Sequence, residues 1–260
     1  MIVEKCLIQQ KVKDNIECEN IEYNIYNLKK DKNDVKKILL ACHGFDSSKD
    51  SSTIRKLAED FEKTDVPIVS FNWAGHGSNS ESLTIKNCIN IFKNIERQIM
   101  YEFPNAKIFL YGSSFGAYMI LLLLRNNIIS KQNIKYPHIF LKSPAIKMNE
   151  IFKEKLIEEK IEEYKKRGYT IKNRNKRMII PYQFYEELNE HKIEDQNFIN
   201  LNQNIIIFHG TKDEIASIND SKKLECDNIK IVEFVGAGHS FEGEDLKKMI
   251  KEMLDVVQLY

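Results

Sequence analysis

Short apolar runs alternate with longer amphipathic stretches along most of the chain. Val35–Cys42, Pro67–Phe71, Ile108–Leu110, His138–Lys142, Asn204–His209 and Ile229–Val235 have strand length, and each gives way to small or polar turn residues. Between them, apolar residues recur at helical spacing: Ile54, Leu57, Ala58 and Phe61, then Ile85, Cys88, Ile89, Phe92, Ile95 and Ile99. Phe115–Leu124 is apolar throughout at helical length, and Leu246, Met249, Ile250, Met253, Leu254 and Val257 mark one face of a last helix. Ser51 or Ser52 is placed to cap the first of these helices. Strands alternating with helices predict an α/β protein, a mostly parallel sheet with helices on both faces. Upstream, Ile2–Gln10 and Ile21–Leu28 flank the polar stretch Lys13–Asn20 and predict an antiparallel pair.

The alternation stops at Ala145 and resumes near Asn204, an interval of about sixty residues, far longer than an ordinary connection. Within it, Glu150–Arg167 predicts a charged helix with Phe152, Leu156, Ile161 and Tyr164 as its inner face, ended by Gly168. Lys165–Arg177 holds seven basic residues and no acidic ones, a pattern that predicts a solvated face. Pro181–Leu188 begins a second helix rich in aromatics. The expected organisation is a core of residues 1–144 and 201–260 interrupted by a helical cap at 145–200.

Length and charge add limits. The chain has 260 residues and a formal net charge of +1, so no overall field points to nucleic acid. The five cysteines are scattered, form no C-x-x-C pair and are odd in number, which argues against a disulfide framework. The N-terminal sequence lacks the pattern of a signal peptide, and the longest apolar run, Ala117–Leu124, is too short to span a bilayer. The expectation is a cytoplasmic protein without a membrane partner. With no H-E-x-x-H and no close-spaced ligand pair, no metal and no cofactor are expected.

The candidate chemistry lies at Gly112-Ser113-Ser114-Phe115-Gly116, which fits G-x-S-x-G between a strand and a helix. A serine hydroxyl is a weak nucleophile and must project to where a base can take its proton. A sharp strand-to-helix turn does that, and it leaves the N–H of Phe115 at a helix N-terminus, where a developing oxyanion is stabilised. The motif alone has many chance matches. Asp213 and His239, however, also lie in turns just after strands, at the sheet edge where ligand sites form. Ser113 is off by one in the motif, and Glu214 is a neighbouring alternative to Asp213.

The order serine, aspartate, histidine, with these strand contexts, resembles the α/β-hydrolase fold serine hydrolases. Among them the chain is most similar to bacterial cinnamoyl/feruloyl-esterase-like and serine aminopeptidase-like (monoacylglycerol-lipase-like) esterases. His43-Gly44-Phe45 resembles their oxyanion turn, and Gly75-His76-Gly77-Ser78 their G-H-G-x-S motif. His209-Gly210-Thr211-Lys212-Asp213 and Gly236-Ala237-Gly238-His239-Ser240-Phe241 resemble the acid and base turns. The elbow departs from many relatives in having Ser113 where they carry histidine. The resemblance implies Ser114 as nucleophile, His239 as general base, Asp213 as the acid that orients it, and the N–H groups of Phe45 and Phe115 as the oxyanion hole. His43 and the cap aromatics Phe184 and Tyr185 are the candidate substrate contacts. The implied reaction is cleavage of a small-molecule carboxylic ester through an acyl-serine, without a cofactor. A thioesterase or amidase/peptidase on the same residues, or a non-catalytic binding module, are the alternatives, and the sequence does not specify the oligomeric state.

Overall fold

Eight strands pair into one sheet in the order β1-β2-β4-β3-β5-β6-β9-β10. They are β1 (Val3–Gln10), β2 (Glu19–Tyr26), β3 (Lys37–Cys42), β4 (Ile68–Phe71), β5 (Lys107–Ser113), β6 (His138–Lys142), β9 (Asn204–Gly210) and β10 (Ile229–Phe234). This computed structural model describes residues 1–10, 19–126, 128, 136–157, 159–172, 177–193 and 203–260. The predicted turn at Lys13–Asn20 therefore lies largely outside the described residues. β2 pairs antiparallel with both β1 and β4, and every pairing from β4 onward is parallel. The mostly parallel sheet expected from the strand–helix alternation is thus present, with the N-terminal antiparallel pair on one edge.

Alternate side chains of each strand feed two cores. Ile38, Leu40 and Cys42 of β3 join one core with α2 (Ile85–Glu102) and α3 (Phe115–Arg125). Leu39 and Ala41 point the other way and pack with α1 (Ser52–Phe61) and α8 (Gly243–Leu259). Period-two alternation makes this division unavoidable for a strand buried on both faces. α1 begins at Ser51, whose side chain accepts the Ile54 N–H, and α2 at Thr84, whose side chain accepts the Asn87 N–H. α3 is buried along its length from Phe115 to Leu124, as its unbroken apolar sequence requires.

The interval between β6 and β9 is not helical throughout. The expected helix Glu150–Arg167 is broken into α4 (Met148–Ile151), a π-helical turn (Phe152–Leu156) and α5 (Ile161–Arg167), with extended backbone at Ile157. Packing explains the break. In one continuous helix Phe152 and Tyr164 would lie about 18 Å apart along the axis, yet their rings are 6.3 Å apart. Folding the chain back buries both rings, which outweighs a few helical hydrogen bonds. Gly168 ends α5 in the left-handed conformation, at φ 80°, as expected. Part of the basic stretch then pairs antiparallel as β7 (Tyr169–Lys172) with β8 (Met178–Pro181), residues 173–176 lying outside the described set. Four-residue strands carry too little alternation to register against the surrounding charge. α6 (Tyr182–Glu190) follows directly, and α7 (Ile218–Lys222) lies between β9 and β10.

Gly116 of the elbow marks one of the tightest passages in the fold. A Cβ on Gly116 would lie 2.4 Å from the Cys42 carbonyl oxygen and 2.6 Å from that of His43. Gly116→Ala should therefore cost about 3 kcal/mol or more, because backbone rather than a flexible side chain must give way. A Cβ on Gly168 meets nothing within 4 Å, so Gly168→Ala should cost only about 1 kcal/mol, from its left-handed backbone. Urea unfolding of the two variants measures the contrast.

Candidate active site

β5 sits at the centre of the sheet between β3 and β6, and its end carries Ser114. Ser114 has φ 53°, a left-handed value unusual for a residue with a side chain. Its N–H donates to the Lys142 carbonyl at 2.9 Å, and its own carbonyl accepts from Tyr118 at 3.0 Å. The strained turn is thus held from both sides, and it lifts the hydroxyl clear of strand and helix. There the Ser114 Oγ lies 2.9 Å from His239 Nε2, and His239 Nδ1 lies 2.8 Å from Asp213 Oδ2 and 3.1 Å from Oδ1. With Nδ1–H donating to the carboxylate, Nε2 is left to accept the serine O–H.

The two later turns are fastened to each other. A Cβ on Gly210 would fall 2.3 Å from the Ala237 carbonyl oxygen, so only glycine lets these segments pass. Thr211 N–H donates to Phe234 at 3.0 Å and Lys212 N–H to Ala237 at 2.9 Å, while the Thr211 hydroxyl accepts from Gly236 at 2.8 Å. Asp213 Oδ1 accepts the N–H groups of Ile215 and Ala216, both at 2.9 Å. Its side chain is fully buried, whereas Glu214 is exposed, which separates the two carboxylates the sequence left adjacent. Burial opposes the Asp213 charge, but hydrogen bonds from His209 and His239, with the Ala216 N–H, hold its carboxyl well below the usual carboxylate range.

His209 and Lys142 are two neighbours to which the sequence assigned no part in the chemistry. His209 is buried at the end of β9. Its Nε2 lies 3.0 Å from the Ala216 carbonyl and 3.2 Å from Asp213 Oδ2, so Nε2–H is shared between them. Its Nδ1 lies 2.8 Å from Ser221 Oγ and accepts that hydroxyl's proton. A histidine one residue before the glycine of the acid turn is the available signal, and in sequence it reads as a strand end. Lys142 Nζ donates to the His239 carbonyl at 2.9 Å. A lysine closing a strand is ordinarily solvated, but by alternation Lys142 shares a face with the buried Phe140.

On the other side, Gly44 places the turn after β3 against the elbow: a Cβ there would be 3.3 Å from the Ser113 carbonyl oxygen and 3.4 Å from Ser114 Cβ. Phe45 follows, beside Ser114, and Phe115 opens α3, where a first-turn N–H has no intrahelical acceptor. His43 is buried. Its Nδ1 lies 2.7 Å from the Gly44 carbonyl, and its Nε2 accepts the Trp73 N–H at 3.3 Å, so both ring nitrogens are engaged inside the protein. Burial, with His76 alongside, pushes the His43 imidazole down to about 3, which keeps it neutral. Phe184 is fully buried, 6.1 Å from Phe45, 6.0 Å from Phe115 and 5.4 Å from Phe152 between ring centroids. Tyr185 is half-buried against Phe152. The site thus has a tightly packed aromatic flank. A cleft of about 990 Å³ is lined by Asp46, Ser48, Ser51, Ser78, Arg177 and Pro181 among others, and none of Ser114, Asp213 and His239 lines it. Among the described residues no group of three or more His, Cys, Asp or Glu could hold a metal ion, and no helix is long and apolar enough to cross a membrane.

This sheet, with its serine elbow and the later acid and base turns, defines an α/β-hydrolase fold. Residues 33–180, more than half of the chain, match the serine aminopeptidase, S33 family (Hydrolase_4), and the chain belongs to that family of hydrolases. The match ends before Asp213 and His239, which come to the site through the fold. No curated protein matches the chain in sequence. Solved structures do resemble it. Est1E from Butyrivibrio proteoclasticus with ferulic acid bound has a TM-score of 0.71 at 18% identity, over 92% of this chain and 97% of that one. A soluble variant of monoglyceride lipase from Saccharomyces cerevisiae, in complex with a substrate analogue, gives 0.73 at 13% identity over 96% and 94%. Mouse alpha/beta hydrolase domain-containing protein 10 gives 0.69 at 18% identity over 97% and 98%. At these identities the likeness is one of fold.

Two outcomes test this geometry. Phe184→Ala should cost about 3–5 kcal/mol of stability by urea unfolding, and Tyr185→Ala clearly less, since only Phe184 is fully enclosed. Asp213 has a depressed folded pKa, so its stabilisation is present above the unfolded carboxylate value of about 3.9 and is lost as pH falls below it. The stability difference between wild type and Asp213→Asn should therefore shrink steadily from about pH 5 toward pH 2. A difference that stays constant would show that the carboxylate charge contributes nothing.

Proposed function

We propose that this chain is a serine hydrolase that cleaves carboxylic esters through an acyl-serine intermediate. The observation that carries the reading is the connected row Ser114, His239 and Asp213, with Ser114 Oγ 2.9 Å from the imidazole and the carboxylate 2.8 Å behind it. Such a row has a direct chemical use. His239 Nε2 takes the hydroxyl proton as Ser114 Oγ bonds to the ester carbonyl carbon, and Asp213 stabilises the imidazolium. The carbonyl oxygen, now anionic, is received by the N–H groups of Phe45 and Phe115. Collapse breaks the bond to the alkoxy oxygen, which leaves with the proton held on Nε2. Water, deprotonated by the same imidazole, then attacks the acyl-serine and frees the acid.

Ester cleavage is favoured over the amide and thioester alternatives by the fold likeness to Est1E with ferulic acid bound and to monoglyceride lipase with a substrate analogue. A non-catalytic binding module has no use for a strained serine aligned with a base and a buried acid. Residues 145–200 act in this reading as the cap over a core of 1–144 and 201–260. The substrate is a small molecule and no cofactor takes part. Free thiols at Cys6, Cys42, Cys88 and Cys226 fit a reducing, cytoplasmic setting.

Hydrolysis of p-nitrophenyl esters of increasing chain length, with methyl ferulate and an acyl-CoA in parallel, tests the reaction. Ser114→Ala should abolish nearly all turnover, leaving about 10³–10⁴ over the uncatalysed rate, while Ser113→Ala should be mild. A fluorophosphonate should label wild type one-to-one on the peptide containing Ser114, and His239→Ala should suppress labelling. Folded wild type that neither labels nor hydrolyses any of these at neutral pH would exclude the reading.

A further inference from the structure

Lys142 closes β6 with only 5% of its surface exposed. Three contacts make it a bracket across the site. Its main-chain carbonyl accepts the Ser114 N–H at 2.9 Å. Its Nζ donates to the His239 carbonyl at 2.9 Å, an acceptor shared with the Ser143 hydroxyl at 3.1 Å. The ammonium also lies 5.3 Å from the centroid of the Phe241 ring, two residues beyond His239. One residue therefore grips the turn that carries Ser114 through its backbone and the loop that carries His239 through its side chain.

Burying an ammonium costs free energy, and an apolar side chain would fill the end of a buried strand without that cost. Burial pushes Lys142 down to about 8, against the pull of the Asp213 charge. The titratable groups gathered here are Lys142 from β6, Asp213 from the turn after β9 with His209 behind it, and His239 from the loop after β10.

We propose that Lys142 is a positioning residue that fixes His239 relative to Ser114. The proposal rests on the reading of Ser114 and His239 as nucleophile and base.

The test is steady-state kinetics on p-nitrophenyl butyrate for wild type, Lys142→Met and Ser143→Ala. In Lys142→Met kcat should fall about tenfold or more with KM within about twofold, as for an interaction that aligns rather than binds. Ser143→Ala removes the other hydrogen bond to the His239 carbonyl, so kcat should fall with KM again nearly unchanged. A folded Lys142→Met protein with unchanged kcat, or one whose loss lies in KM, overturns the positioning role. Should Lys142→Met fail to fold by circular dichroism, Lys142→Gln, which still carries a donor, is judged by the same kcat and KM split. Wild type inert to esters and to fluorophosphonate would instead remove the hydrolase reading and this role with it.

Discussion

The contact on which the site depends is one of backbone against backbone: the end of β3 against the first turn of α3. At Gly116 there is no room for even one carbon between the helix and the carbonyls of Cys42 and His43. That approach brings the turn with Gly44 and Phe45 against the elbow and forces the chain to reverse sharply at Ser114, which absorbs the reversal with φ 53°. The cost of that strain is held by hydrogen bonds from both neighbours, to Lys142 on β6 and from Tyr118 on α3. Remove the close approach and the serine has no reason to leave the helical region of backbone space.

A second tight passage, at Gly210, does the same for Asp213 and His239. Because β9 and β10 are adjacent and parallel, their following turns leave the sheet side by side. Asp213 then faces His239 across a gap already closed by main-chain hydrogen bonds. A carboxylate buried there would be unstable alone. It is kept ionised by two main-chain N–H groups, by His239 and by His209, the last fixed in its own tautomer by Ser221. The polar network is satisfied outward in layers, so the imidazole has one orientation available to it.

The sequence made the sheet, its two helical faces and the meeting of Ser114, Asp213 and His239 legible for a common reason. Parallel strands deliver their C-terminal turns to one edge, so motifs far apart in sequence converge without any knowledge of side-chain packing. Roles that depend on packing were not legible. His43 sits in a motif-like segment yet spends both ring nitrogens on Gly44 and Trp73. Phe184 was expected as a substrate contact, but it is fully enclosed, with Phe152 packed against it. The break at Ile157 and the β7–β8 pairing follow from the same collapse, in which burial of scattered rings overrides local helical pattern. Lys142 was hidden by the opposite error, since a lysine at a strand end is ordinarily solvated.

Phe45 joins these two kinds of structure. Its backbone belongs to the turn pinned beside the elbow. Its ring lies within an aromatic cluster with Phe115 and His76 from the core and Phe152 and Phe184 from the interval between β6 and β9, centroids 5.4–6.1 Å apart. Lys172 of β7 adds a cation 5.9 Å from the same ring. Interiors packed in this way respond to displacement in steps rather than by smooth deformation. A shift of the inserted segment large enough to admit an acyl chain must therefore move the Phe45 ring, and a single methylene joins that ring to the backbone that would donate to the oxyanion. On the proposed reaction, substrate entry beneath the cap and alignment of the oxyanion hole become a single event, and selectivity for the acyl group would appear in the rate of the chemical step as well as in binding.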